Sequence, residues 1–464
     1  MVESFGEALR RMRVQRGLSL RRLAAATNFD FGYLGQVERG KRPGSNTLAS
    51  RCDRALSAGG SLVERFSQPT ERPGQTGEPG PTLVASAAGS QPTPAHESAG
   101  LGLAWLPSVA STVNTVIDMW RADVDRRNFL VGAGFAAGGF TPAARDWLLN
   151  WQDTDTSHAG GRHVGQADVA VLWDSCHSFQ EIDRRLGGAV ARTSLVHFLD
   201  NVVAPLLAGT YDDAVGRELL AVAGRLTDIA AYSAYDAHEQ GMAQRYYVQA
   251  LRMARAANNE SLGAHILGDM TRQAYYIGDL NEAVALARAG QQAARTAGSR
   301  GGLARCASVE ARALAMQGDR VGAEDAMTRA EQAMEKIDPE AESPWIRYFS
   351  YDQLQAEFAH AAEALGRPKD VLKFADPALK ADRPLERRNL LVATTAARAY
   401  AATDELEQAA AVGVQALSLV HGVASERGLE AARALRAKLS QHADHPAVQQ
   451  FEAKAQEVLG TTAA

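Results

Sequence analysis

The chain has 464 residues, of which 46% are apolar but only 6% aromatic. This length predicts about two to four domains, and apolar material rich in alanine and leucine favours helices over sheets. The net charge of −5 is unevenly distributed, because residues 1–66 carry +6 and the remainder carries −11. A basic part and an acidic part indicate two regions with different partners.

Several classes of protein are excluded by simple patterns. The three cysteines, Cys52, Cys176 and Cys306, lie far apart and form no CxxC pair, so neither a disulfide framework nor a thiolate metal site is indicated. No apolar run approaches the roughly 18–20 residues that span a bilayer. The first residues lack the pattern of a signal peptide. We therefore expect a cytoplasmic protein that has no membrane segment.

Residues 67–103 separate the basic part from the rest. Six prolines lie among Gly, Ser and Thr between positions 67 and 100, a composition that cannot bury enough surface to fold. We predict a disordered linker there. A connecting helical segment over 104–163 and a helical-repeat domain over 164–464 should follow it.

Residues 1–66 are predicted to form five short helices. Gly17 should end the first helix, and Ser19 should cap the second. The stretch from Leu18 to Gly40 then resembles the Xre-like, or lambda-repressor-like, helix-turn-helix family. The shared pieces are Ser19, Leu23-Ala24, Tyr33-Leu34, Val37-Glu38-Arg39-Gly40 and the basic Lys41-Arg42-Pro43.

The resemblance implies a set of DNA contacts. The second helix of such a motif enters the major groove, which implies base contacts by Phe31, Gly32 and Gln36. Phosphate contacts would come from Ser19, Arg21, Arg22, Arg39, Lys41 and Arg42. Leu20 and Asn28 depart from the family pattern, and Gly32 offers no side chain, so part of the readout is expected to be indirect.

The acidic part contains recurring helix breaks. Gly278-Asp279, Gly318-Asp319, Gly366-Arg367 and Thr403-Asp404 are spaced by 40, 48 and 37 residues. Such breaks predict pairs of antiparallel helices stacked as a tetratricopeptide-like α-solenoid, in an all-α protein.

Other segments of this part resemble an actinobacterial group of Xre-like regulators with a long tetratricopeptide domain. They include Phe179–Gly188, Gln244–Leu251, Ser343-Pro-Trp345 and His445–Val448. The resemblance implies a transcription regulator whose repeats sense a signal, in the manner of quorum-sensing regulators that respond to peptides.

Polar residues at helical spacing predict a ligand groove on one face of the repeats. Arginines that alternate with tyrosines could hold a carboxylate, a peptide backbone or a small aromatic ligand. An ordinary solvated face with local Arg–Asp pairs is the competing interpretation. The candidate residues are Arg225, Asp228, Tyr232, Tyr235, His265, Asp269, Arg272, Tyr276, Arg305 and Arg312.

Signals for catalysis are weak. The chain contains no HExxH, GxSxG or GxxxxGK[ST] motif. His442-x-x-His445 has no nearby third ligand, so a loop is expected there rather than a metal site. We expect no catalytic residues, no metal and no cofactor.

The sequence thus predicts a regulator that binds a double-stranded DNA operator as a homodimer and responds to a small-molecule or peptide effector. Dimerisation is inferred because one helix-turn-helix reads few base pairs and symmetric pairs read palindromes. The alternative is a scaffold whose repeats bind a protein partner and whose N-terminal domain serves interaction rather than DNA binding.

Overall fold

The computed structural model divides into two compact units, residues 1–89 and 90–464. Within the described part of the chain, all regular structure is helical, apart from isolated bridges that join His158 to Tyr211 and His163 to Thr210. This confirms the predicted all-α class. The described residues are 5–27, 31–39, 46–56, 58, 60–62, 65, 102–105, 108–125, 134–136, 138–149, 155–380 and 386–460.

The first unit contains four described helices around one small core. They are α1 (Phe5–Gln15), α2 (Leu20–Thr27), α3 (Phe31–Glu38) and α4 (Asn46–Ala55). Its fully buried side chains include Leu9, Leu23, Leu34, Leu48 and Cys52. The predicted helix boundary is confirmed, because Gly17 has a φ of +66° and the Ser19 hydroxyl accepts a hydrogen bond from the Arg22 amide at 3.2 Å. The predicted linker lies almost wholly outside the described residues.

The second unit is an array of helices. It begins with α5 (Val109–Val124), α6 (Phe140–Leu149), α7 (Gln166–Leu186) and α8 (Gly188–Phe198). A π-helical turn, Leu199–Val203, joins α8 to the short α9 (Ala204–Leu207). Twelve further helices follow, of which the first ten pack as five consecutive pairs, while the last packs mainly on the helix two before it. They are α10 (Asp213–Asp236), α11 (Gln240–Ala256), α12 (Glu260–Tyr276), α13 (Leu280–Thr296), α14 (Arg300–Gln317), α15 (Arg320–Met334), α16 (Tyr351–Ala364), α17 (Pro368–Leu379), α18 (Glu386–Ala402), α19 (Leu406–Val420), α20 (Glu426–Leu439) and α21 (Pro446–Gly460).

Left-handed residues end the helices of this array at a regular interval. They fall at positions 238, 258, 278, 298 and 318, every 20 residues, and recur at Gly366 and Asp404. Behind Gly278 and Gly318, the Asp279 and Asp319 carboxylates cap the next helices by accepting backbone hydrogen bonds. The predicted breaks are therefore confirmed. The two-helix unit of about 40 residues is longer than the 34 of a tetratricopeptide repeat.

The predicted connecting segment, 104–163, shares its core with the repeats. Trp120, Phe140 and Trp147 are buried in the same cluster as the apolar faces of α10 to α14. Polar side chains of α11 also hold this segment, because the Gln249 amide donates to the carbonyls of Gly102 and Ala104 at 2.8 and 3.1 Å. The chain that emerges from the linker is thus anchored directly on the repeats.

The last repeats fold back onto the first helices of the array. The backbone amide of Ala424 donates to the carbonyl of Leu186 at 2.9 Å, so the start of α20 meets the end of α7. The fully buried Asp236 carboxylate accepts hydrogen bonds from Arg427 Nε at 2.9 Å and from Arg387 Nη1 at 3.1 Å. These contacts join residues more than 150 positions apart and bring both ends of the array together.

Gly187 occupies the point where the two ends meet. Its φ of +88° and ψ of 165° are open to glycine only, and an added Cβ would collide with the Ala424 backbone. We predict that Gly187→Ala lowers the midpoint of thermal unfolding of the full chain by several degrees.

Gly318→Ala is the control for this substitution. Gly318 also has a positive φ, +82°, but no atom lies within 4 Å of its added Cβ, so only the backbone cost of about 1–2 kcal/mol applies. Equal losses of thermal stability in the two variants would show that the Gly187–Ala424 contact is unimportant.

Candidate functional site

The first unit presents a helix-turn-helix whose two helices, α2 and α3, are fixed by their neighbours. The buried Glu38 carboxylate at the end of α3 accepts hydrogen bonds from Arg13 Nε and Nη2 at 2.5 and 2.8 Å. Arg13 Nη1 also donates to the Leu18 carbonyl at 2.8 Å. One arginine of α1 therefore ties the turn before α2 to the end of α3, which sets the angle between the two helices.

The predicted DNA-contacting residues are distributed over this motif. Ser19, Arg22 and Arg39 are exposed, as phosphate contacts require. Phe31, Gly32 and Gln36 lie on α3 and Arg21 lies on α2, while their side chains are outside the described part. Lys41 and Arg42 lie outside the described residues altogether.

A polar cavity of about 160 Å³ lies among the first helices of the repeat pairs. Side chains of α7, α10, α12, α14, α16, α18 and α20, together with Tyr348 from the loop before α16, line it. The structure brings six of the ten predicted ligand-binding residues to its wall. They are Arg225, Tyr232, His265, Asp269, Arg272 and Arg312.

Three other predicted residues lie behind the wall. Asp228 is fully buried against Arg225, and Tyr235 accepts a hydrogen bond from Arg427 Nη1 at 2.9 Å. Arg305 is also fully buried, where it donates to the His265 carbonyl at 2.6 Å, to Asp269 at 2.5 Å and to the Tyr348 hydroxyl at 3.0 Å. These side chains support the cavity rather than face it.

Tyr276 does not line the cavity. Its hydroxyl lies 2.8 Å from His238 Nε2 and donates to Glu430, outside the wall. Tyr275 takes the place in the wall, under the Arg312 guanidinium. Positions three and four after Arg272 both fall near the predicted helix face, so helical spacing alone could not separate the two tyrosines.

Glu357 joins two of the predicted arginines. It accepts a hydrogen bond from Arg272 at 2.6 Å and lies 3.7 Å from Arg312. Burial alone would raise the pKa of the Glu357 carboxyl, but Arg272 and Arg312 outweigh burial and lower the pKa to about 2. The carboxylate therefore stays charged within the cavity wall.

Asp228, His265 and Asp269 lie close enough to suggest a metal site. Their potential ligand atoms all fall within 4.8 Å of one another, and all three residues are buried. Burial, followed by the nearby Arg305 and Arg225, lowers the pKa of His265 well below its usual value. Asp228 and Asp269 are already paired with Arg225 and Arg305, and a cation would have to share this site with them. The residues fit a buried ion-pair network better than a metal centre.

Several cavity residues were not predicted from the sequence. Arg184, Tyr348, Arg387, Arg388 and Arg427 all line the wall. Tyr348 is positioned because Trp345, on the same loop, stacks on Trp173 of α7 with ring centroids 5.7 Å apart. The segments Phe179–Gly188, which contains Arg184, and Ser343-Pro-Trp345, near Tyr348, were the nearby signals, but neither indicates which residue faces the cavity.

Comparison with known proteins agrees with the geometry of the first unit. Residues 4–66 match the family described as helix-turn-helix domain. The N-terminal unit is thus a helix-turn-helix domain of the kind that binds DNA, and the match supports the Xre-like assignment. No curated protein matches the chain. None of the described helices is long and apolar enough to cross a membrane.

Glu357→Gln tests the ion pairs of the cavity. The Glu357 pKa is about 2 in the folded protein and has an ordinary value of 4.5, so the charge stabilises the fold above pH 4.5. We predict that the variant loses on the order of 3 kcal/mol of unfolding free energy at pH 7. The difference from the native chain should shrink as pH falls from 4.5 towards 2.

Equilibrium unfolding at a series of pH values measures this difference. Glu335→Gln, which changes an exposed residue, is the control and should unfold like the native chain at every pH. A Glu357→Gln deficit that did not depend on pH would contradict the ionic role of Glu357.

Proposed function

We propose that the protein is a sequence-specific, DNA-binding transcription regulator whose helical-repeat domain senses an effector. The helix-turn-helix match over residues 4–66 carries the DNA-binding half of this proposal. The exposed Arg22 and Arg39 support it, because arginines that face solvent can meet phosphates and residues 1–66 carry a net charge of +6. Such a regulator acts in the cytoplasm, where it reaches DNA, and needs neither catalysis nor a cofactor.

The cavity supports the sensing half of the proposal. An ordinary solvated face would leave its arginines in water, whereas Arg225 is buried and Arg272 partly buried around a defined space, with the buried Arg305 behind them. The protein would have one state that binds DNA and one that does not. To act as a signal, an effector in the cavity must bind one of these states more tightly than the other. As the resemblance implies, we also propose that the repeats are tetratricopeptide-like and that they sense their effector in the manner of quorum-sensing regulators. The likeness to an actinobacterial group of regulators belongs to the same proposal.

A physical route from the cavity towards the linker supports such signalling. Tyr232 and Arg225 face the cavity from α10, and α10 packs along α11. Gln249 of α11 in turn holds the backbone at Gly102 and Ala104, at the end of the predicted linker. A shift of α10 upon binding would therefore act on the chain that leads to the helix-turn-helix domain.

A homodimer completes the proposal, since two copies of the motif would read the two halves of a palindromic operator. A 2:1 ratio of chain to operator, measured by light scattering of the complex, is the expected stoichiometry. A 1:1 complex on a single half-site would count against dimerisation.

Salt-dependent binding of the full chain to duplex DNA tests the central part of the proposal. The logarithm of the affinity should fall linearly with the logarithm of the salt concentration. We predict that the double variant Arg22→Ala, Arg39→Ala lowers the steepness of this line by roughly two, about one for each lost phosphate contact.

Arg320→Ala, at an exposed arginine of the second unit, is the matched control and should leave the salt dependence unchanged. If the full chain bound no duplex DNA even at low salt, the scaffold alternative would replace the DNA-binding proposal.

A further inference from the structure

The cavity wall carries an excess of positive charge. Seven arginines face the cavity against three carboxylates, those of Asp183, Asp269 and Glu357. The two histidines in the wall, His265 and His360, do not add to this charge at neutral pH, because burial lowers the pKa of both. A chain with a net charge of −5 thus concentrates cations around one internal space.

Most of the carboxylates already have arginine partners. Asp183 accepts from Arg387 at 2.8 Å, and Asp269 and Glu357 accept from Arg272 at 3.1 and 2.6 Å. Outside the wall, Asp228 pairs with Arg225 and Asp236 pairs with Arg427. These pairs leave Arg184, Arg312 and Arg388 as the arginines of the wall whose charge is least compensated.

Arg184 has the weakest compensation of the three. Its guanidinium lies over the Tyr348 ring, 4.5 Å from the centroid, and no described carboxylate lies within ion-pair distance of it. Burial lowers the pKa of the Arg184 guanidinium and outweighs the attraction of Glu181 and Asp183. Moving a cation out of water without a carboxylate partner costs free energy. Such an arginine is therefore a candidate for binding an anion.

Arg388 and Arg312 reach the cavity from other helices, and Arg312 has only a long ion pair. Arg388, on α18, donates to two neutral oxygens, the Ala378 carbonyl at 2.9 Å and the Asn389 side chain at 2.9 Å. Arg312, on α14, lies over the Tyr275 ring and is 3.7 Å from the nearest carboxylate oxygen of Glu357. Guanidinium groups from three separate helices therefore line one cavity, where their N–H groups can donate to a ligand.

We propose that this cavity binds a small organic oxyanion, a carboxylate or a phosphate, held by Arg184, Arg312 and Arg388. This proposal names the chemical class of the effector and rests on the proposed sensing function. A volume of about 160 Å³, close to the roughly 150 Å³ of a cavity that holds benzene, has room for a small ring with its anionic group. Ile229 and Leu391 also line the cavity and can contact the apolar part of the ligand.

Calorimetric titration of the full chain with matched probes tests this proposal. Phenyl phosphate and benzoate supply the two oxyanions on the same ring, benzamide is the neutral counterpart, and inorganic phosphate is the anion without a ring. We expect the anions to bind and benzamide not to bind. Whichever of phenyl phosphate and benzoate binds more tightly shows whether the site prefers a phosphate or a carboxylate.

Arg184→Gln and Arg185→Gln form a matched pair of variants. Arg185 is the exposed neighbour on the same helix and does not line the cavity. Arg184→Gln should weaken anion binding at least about tenfold, as expected for one charge-assisted hydrogen bond, while Arg185→Gln should not. Without any anion, Arg184→Gln should also melt about 1–3 °C above the native chain, because it removes a partly buried charge that has no carboxylate within ion-pair distance.

The proposal is overturned if none of the anions binds the native chain at millimolar concentration. It is also overturned if Arg184→Gln binds them as tightly as Arg185→Gln does, or if Arg184→Gln melts well below the native chain as the loss of a structural arginine would. DNA affinity measured with and without the tightest probe separates this inference from the proposed function. If an anion binds but does not change the affinity for DNA, the anion site is supported and the proposed sensing function is refuted.

Discussion

The buried Asp236 carboxylate is the contact on which the second unit depends. It is completely shielded from solvent and accepts hydrogen bonds from Ser425, Arg427 and Arg387, three residues that lie far along the chain. Burial would raise the pKa of this carboxyl, but Arg387 and Arg427 outweigh burial and lower it. Removing one member of such a buried network costs about 3–5 kcal/mol, because the remaining charges stay buried without partners. The cavity exists because this closure brings α18 and α20 opposite α7 and α10.

The two units use arginine in physically different ways. In the helix-turn-helix domain, Arg22 and Arg39 are exposed, where arginines attract a polyanion through long-range and salt-dependent forces. Around the cavity, arginines lie among tyrosines and paired carboxylates, where little water remains to screen their charge. An exposed cationic surface attracts DNA of any sequence, and the choice between DNA sequences would depend on contacts between α3 and the bases. The cationic cavity suits the small anion that we propose as its ligand.

The sequence was sufficient for features that are set locally. Gly17 and Ser19 mark a helix boundary through backbone conformation and capping, and Gly278-Asp279 marks another through the same physics. Helical spacing also predicted that Arg225, His265 and Arg272 share one groove, and all three line the same cavity. Features that depend on folding of the whole array were missed. Arg184 and Arg387 are separated by about 200 residues, and only the closure at Asp236 places them in one wall. The Arg13–Glu38 pair was missed for the same reason, since α1 and α3 meet only in the folded unit.

The most direct test of this account is the affinity of the full-length Asp236→Asn variant for phenyl phosphate, measured by calorimetry beside the native chain. Asp236 does not line the cavity, and asparagine preserves its shape. Loss of one negative charge would by itself strengthen the binding of an anion to the arginines. If the closure at Asp236 builds the site, as the account requires, Arg387 and Arg427 lose their anchor and the affinity falls at least about tenfold, the effect of losing one charge-assisted contact. An affinity equal to or tighter than that of the native chain would contradict the account.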